Sequence, residues 1–147
     1  MKIDLKGKRA LVGGSSKGLG LAVAKQLASS GANVTLMARD ETKLKTIVND
    51  LNKATSLNHK YLIVDFNDFK SFKNIISDFF SENEIDILIN NTQGPPAGDV
   101  LSVNIDDYQN AFDLLFKNIV YTTMSAIKNM HKNKWGRIIN IASISVK

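Results

Sequence analysis

Five short apolar runs, rich in β-branched residues, recur along the chain at 8–14 (KRALVGG), 32–38 (ANVTLMA), 60–65 (KYLIVD), 85–91 (IDILINN) and 136–143 (GRIINIAS). They are nearly continuous in Val, Ile and Leu instead of alternating, the pattern of strands buried on both faces. Between them the spacing turns helical. Residues 18–30 place Leu19, Val23 and Leu27 four apart, with Ala22 and Ala24 beside them, and Gly31 follows where a left-handed C-terminal residue is wanted. From Asp40, the stripe Leu44, Ile47, Val48 and Leu51 predicts an amphipathic helix capped by Asp40 or Thr42. Asp68, Phe69, Phe72, Ile75, Ile76, Phe79 and Phe80 predict a third helix, and residues 105–130 one long fourth. Strand, helix, strand repeated four times predicts an α/β fold, a parallel sheet with right-handed crossovers and helices on both faces. The stretch 91–99 (NTQGPPAGD) reads as a loop leaving the fourth strand.

The 147 residues amount to a single domain, enough to bury about two thirds of the surface an unfolded chain exposes. The chain has no cysteine, which excludes disulfides and thiolate metal sites and fits a reducing compartment. No run reaches the apolar length of a membrane span, and the charged start MKIDLKGKRALV is unlike a signal peptide. A soluble, cytoplasmic protein is expected. The net charge of +5 is concentrated after Asp113, where Lys117, Lys128, Lys132, Lys134, Arg137 and Lys147 meet no acidic residue. These charges are scattered along a helical pattern without a groove-reading motif or interleaved aromatics, so a solvated helix face is preferred to a nucleic-acid surface.

Chemistry enters directly after the first strand. The segment GGSSKGLG sets Gly14, Gly18 and Gly20 in GxxxGxG spacing. A glycine turn there lets the backbone approach a pyrophosphate, while the following helix aims free N–H groups and its positive dipole end at the same anion. The plain alternative is a tight turn that binds nothing, but the position between a strand and a helix of a βαβ unit favours the dinucleotide reading.

The arrangement resembles the short-chain dehydrogenase/reductase family, whose fingerprint is TGxxxGxG, and the resemblance covers the whole chain. Gly13 stands at the threonine position, which removes a structural hydroxyl. Asp65 in VDFND matches the family's acidic residue at the adenine ring, and NNTQG from Asn90 is similar to NNAG, with Thr92 and Gln93 in place of the alanine and glycine. GRIINIAS matches the family's fifth strand and ends on Ser143 at the catalytic-serine position. The resemblance implies a Rossmann-type doubly wound sheet of order 3-2-1-4-5 in three α/β/α layers. It also implies a cofactor held by Gly14, Ser16, Lys17, Gly18, Leu19, Gly20, Arg39, Asp65, Phe66 and Asn91, a small carbonyl or alcohol substrate, and a homo-oligomer formed through the fourth helix. Taken singly, Asp65 could be a neighbour of a helix cap, Asn90 and Asn91 a loop-stabilising pair, and Ser143 an ordinary strand-end serine.

Cofactor choice in such folds is read at the end of the second strand. There the acidic position of NAD-binding proteins is Ala38, followed by Arg39, whose planar fork suits a 2′-phosphate, and Lys17 offers a second charge. NADP is therefore expected over NAD. The competing readings are a surface pair of Arg39 with Asp40 or Glu41, and a solvated loop position for Lys17.

The family's proton donor is a tyrosine followed four residues later by lysine. Tyr61, Tyr108 and Tyr121 are followed there by Asp65, Phe112 and Ser125. The family's helical asparagine, about 28 residues before the serine, corresponds to Leu115, with Asn118 one turn on. NTQGPPAG, this leucine and the ending SISVK also resemble a divergent branch in which the tyrosine and lysine are often replaced. Residues 1–147 are thus expected to form one dinucleotide-binding domain, the N-terminal part of a longer oxidoreductase of the oxoacyl-reductase kind. The main alternative is a catalytically silent dinucleotide-binding or assembly module. A flavodoxin-like or response-regulator domain shares the alternation but has no need of the glycine spacing.

Overall fold

A computed structural model of the chain describes residues 3–95 and 98–142; Ser143 lies outside the described residues. Five strands, β1 (Arg9–Gly13), β2 (Asn33–Ala38), β3 (Lys60–Ile63), β4 (Ile87–Asn90) and β5 (Arg137–Asn140), form one parallel sheet in the order β3-β2-β1-β4-β5. The expected doubly wound topology is thus observed. Its crevice opens at the C-terminal ends of β1 and β4, where the strand order reverses, and an open α/β sheet binds ligands at such a point.

Alternate residues of the central strands go to opposite layers. Ala10, Val12, Val34, Leu36 and Ile87 pack under α1 (Gly18–Ser29) and α2 (Glu41–Thr55). Leu11, Met37 and Leu88 pack under α3 (Phe69–Glu82) and α5 (Asn118–Lys132). The helix signals hold at the ends: the Asp40 carboxylate accepts from Lys43 N, Asp68 accepts from Ser71 N, and Gly31 has φ +96°. α1 keeps most of its expected apolar stripe, with Val23 and Leu27 packed against the core. It meets the sheet through Gly20, Ala24 and Ala28, while Leu19 is 67% exposed. Small residues on the inner face let the helix backbone lie close to β1, which brings the glycine turn against the strand ends.

The long fourth helix is continuous but not uniform. α4 (Ile105–Phe112) and α5 are joined without a break by a π-helical turn, Asp113–Lys117, in which Asn118 N donates to Asp113 O. The helix turns Leu114, Asn118, Thr122, Ala126 and Met130 inward, and it leaves Ile105, Tyr108, Phe112, Phe116, Met124 and Ile127 exposed.

Candidate dinucleotide site

The glycine turn is held from three directions. Ser15 Oγ donates to Val12 O at 2.9 Å and accepts from Met37 N at 2.8 Å, joining the ends of β1 and β2. Asn91 Nδ2, from the loop after β4, donates to Gly13 O at 3.1 Å. A Cβ at Gly13 would stand 2.5 Å from Asn91 O, so the glycine at the family's threonine position follows from the close approach of the β4 loop. A Cβ at Gly20 would collide with Gly14 O, and at 2.8 Å with Asn91 Nδ2 and Gly13 O. Sequence reasoning missed Ser15, whose hydroxyl ties the turn down two residues beyond the position where the family carries its threonine.

Above this turn lies a cavity of about 460 Å³ lined by Gly14, Ser16, Lys17, Gly18, Leu19, Arg39, Phe66 and Asn91. These are eight of the ten expected cofactor residues. Gly20 sits beneath the turn as packing, and Asp65 lies at the margin, its Oδ1 4.0 Å from Arg39 Nη1. α1 begins at the cavity. Lys17 caps it without a side-chain hydrogen bond, there is no acidic residue in its first turn, and Gly18 has φ +57° with open space where a Cβ would be. The first amides of α1 are therefore open to an anion from the crevice.

The charges around the cavity are mainly positive. Lys17 and Lys43 line it with Arg39. Arg39 pairs with neither Asp40 nor Glu41: the Asp40 carboxylate takes Lys43 N and Lys43 Nζ, and Glu41 takes Lys45. The hydrogen bond from the Lys43 amide, with that lysine's charge, holds the Asp40 carboxyl below its ordinary pKa. Arg39 instead donates from Nη2 to Gln93 Oε1 at 2.8 Å, and Gln93 Nε2 donates to Asn67 Oδ1 at 3.2 Å. Asp65 Oδ1 accepts from Asn67 N and Nδ2, closing a polar chain across the ends of β2, β3 and β4. Lys43, Gln93 and Asn67 carried no sequence signal, because each acquires its place only when three separate strand ends meet.

A second cavity of about 560 Å³ shares Phe66 and Gln93 with the first and continues toward Ala111 and Leu114. It is also lined by Asp107 and Asp113. A third cavity, of about 310 Å³, lies at the opposite ends of the strands, but its Arg9 is already engaged by Glu84 and Asp86. Burial raises the Asp86 carboxyl, yet the hydrogen bonds from Arg9 outweigh it and hold its pKa below the ordinary value. Among the described residues no group of three His, Cys, Asp or Glu is placed to bind a metal, and no helix is long and apolar enough to cross a membrane.

The inner face of the fourth helix separates the two asparagine candidates. Leu115 is 41% exposed, whereas Asn118 is buried and donates from Nδ2 to Phe66 O at 2.7 Å. Asn118 therefore anchors the helix, just after its π turn, to the segment that carries Asp65 and Phe66. Asn90 is likewise buried and binds Thr123 Oγ1 and Asn140 Oδ1, linking β4, α5 and β5.

Known proteins share this fold. A family model described as short chain dehydrogenase matches residues 8–147. The chain is 31% identical over 150 residues to the 3-oxoacyl-[acyl-carrier-protein] reductase FabG of Chlamydia pneumoniae, spanning 100% of this chain and 59% of that protein. It is 32% identical over 142 residues to the FabG of Rickettsia bellii, spanning 97% and 56%. Among solved structures, L-sorbose reductase from Gluconobacter frateurii complexed with NADPH and L-sorbose superposes with a TM-score of 0.89 at 27% identity, covering 98% of this chain and 55% of that one. A 3-oxoacyl (acyl-carrier-protein) reductase from Agrobacterium tumefaciens C58 with NADP bound gives 0.86 at 27% identity, covering 96% and 54%. The chain thus spans little more than half the length of these relatives.

Proposed function

Because the chain belongs to the short chain dehydrogenase family, we propose that it binds NADP in the crevice above β1 and β4 and serves a cytoplasmic oxidoreductase acting on a small ketone or alcohol. The observation that carries this reading is the glycine turn opening onto a cavity bordered by cations: Lys17 makes no ion pair among the described residues, and Arg39 is hydrogen-bonded to a neutral amide, with Asp65 only at 4.0 Å. Gly14, Ser16, Gly18 and Leu19, with the first amides of α1, hold the pyrophosphate. Gly20 lets the turn close. Arg39 and Lys17 take the 2′-phosphate, in preference to the ribose hydroxyls of NAD. Asp65 and Phe66 border the adenine, and Asn91 keeps the glycine turn in register beneath the dinucleotide.

When bound, NADPH supplies the hydride for carbonyl reduction. Ser143 hydrogen-bonds the substrate oxygen in this proposal, and Asn118 keeps the helix registered against the adenine-binding segment. The relatives named above as 3-oxoacyl-carrier reductases and the sorbose reductase support a carbonyl substrate. The exposed apolar stripe of α4 and α5 is the surface through which two copies associate.

NADPH consumption with a panel of ketones, 3-oxoacyl thioesters and keto sugars among them, tests the reaction. Residues 1–147 alone are expected to bind NADPH saturably without steady consumption, because Tyr61, Tyr108 and Tyr121 each lack a lysine four residues on; steady turnover by them would contradict the missing proton donor. No saturable binding of NADPH would contradict both the oxidoreductase reading and the alternative of a silent dinucleotide-binding module.

A further inference from the structure

Gln93 occupies a position where the resembling motif NNAG carries glycine, so its side chain makes contacts that the glycine of that motif cannot. That side chain bridges two elements. Its amide oxygen accepts from Arg39 Nη2, and its amide nitrogen donates to Asn67 Oδ1, which places it between the end of β2 and the loop after β3. The polarity suits an amide at both ends, because a guanidinium only donates and Asn67 presents its oxygen. Gln93 is also the shared wall of the two site cavities, at the side where Arg39 stands.

The neutrality of the bridge matters as much as its geometry. Arg39 is 55% exposed at its side chain and, left alone, would sample many rotamers or settle on a carboxylate. Of the nearby acids, Asp40 is committed to Lys43, and Asp65, whose Oδ1 accepts twice from Asn67, reaches Arg39 only at Nη1 and at 4.0 Å, while the amide holds Nη2. An amide partner fixes one edge of the guanidinium without cancelling its charge and leaves the remaining donors for an incoming anion. Orienting a charged fork before the ligand arrives lowers the entropic cost of binding, and only a ligand that uses the fork gains from it.

We infer that Gln93 is a specificity-determining residue of the dinucleotide site: it holds Arg39, still charged, in place for a 2′-phosphate and so favours NADP over NAD. The inference rests on the NADP reading above. It is tested by calorimetric titration of the unaltered chain, Gln93→Ala and Gln93→Glu with NADPH and with NADH, each variant first shown to melt cooperatively.

Loss of one charge-assisted contact predicts an NADPH affinity about fivefold weaker in Gln93→Ala, with NADH within about twofold. Gln93→Glu, which neutralises Arg39 and repels the phosphate, is expected to weaken NADPH by more than about tenfold and again to spare NADH. An unchanged ratio of the two affinities in both variants would overturn the inference, as would tighter binding of both cofactors by Gln93→Ala, which would mark the bridge as an obstruction. If the unaltered chain binds neither dinucleotide, the NADP reading falls and takes this inference with it. Preference for NADPH that survives both substitutions undiminished overturns the role of Gln93 alone.

Discussion

A single methyl group added at position 20 would meet Gly14 O, Gly13 O and the Asn91 amide together, and none of the three can yield without opening the turn. Gly20→Ala is therefore expected to weaken NADPH binding by more than about tenfold while the sheet persists, since the clash is confined to the turn. Titration alongside a far-ultraviolet circular dichroism spectrum checks both halves, and binding unaffected by the methyl would contradict the packing described. At this scale the sequence announces the glycines and Arg39, because their spacing and place after a strand carry meaning. It does not announce Gln93 or Asn67, whose partners lie 54 and 26 residues from Gln93 in the chain. Nor does counting along a helix identify Asn118: the spacing points to Leu115, and the inward turn of the helix shows which side chain faces the sheet.

At the scale of elements, caps and strands follow local rules and are legible, whereas packing faces depend on what each element meets. α1 shows this, since Val23 and Leu27 of its stripe pack against the core but Leu19 does not, and its fully buried positions are Gly20, Ala24 and Ala28. His59 is a second case. Buried just before β3, it accepts the Val34 amide at Nδ1 at 3.0 Å, and its Nε2 lies 2.8 Å from Thr55 Oγ1, whose own proton goes to Leu51 O. The ring must therefore carry its proton on Nε2 and stay neutral, standing in for a strand carbonyl beside β2. Burial lowers its pKa from the ordinary 6.5. The unfolded chain takes up the proton first, so this contribution is complete above about pH 6.5 and is lost as the pH falls through the lowered folded value. His59→Asn keeps an acceptor for Val34 without a titrating group, and its melting temperature should change less than that of the unaltered chain between neutral and mildly acidic pH. Equal slopes for the two proteins would show that His59 does not carry the dependence.

For the whole molecule, the alternation of five strands and intervening helices is enough to foresee a parallel sheet and its layers, whereas the strand order and the place of the crevice follow from the family resemblance, since a flavodoxin-like domain shares the same alternation. The exposed face of the fourth helix was also foreseeable. Ile105, Tyr108, Phe112, Phe116, Met124 and Ile127 project from it, and Phe112 and Phe116 stack with centroids 5.1 Å apart. A stripe of this kind is expected to pair with a second copy. Sedimentation should show a dimer that Phe116→Glu or Met124→Glu converts to monomer without loss of the folded spectrum, whereas a monomeric unaltered chain would refute pairing through this face.

The central claim is that one crevice, built by the glycine turn, α1 and the β2 end, takes a dinucleotide and prefers the one bearing a 2′-phosphate. Trp135 lies against Lys8 and Arg137 at the other ends of the strands, so its fluorescence is a poor reporter and heat is the better signal. Parallel calorimetric titrations of the chain with NADPH and NADH should give saturable binding of one molecule per chain, tighter for NADPH. No saturable heat with either, or tighter binding of NADH, would contradict the account.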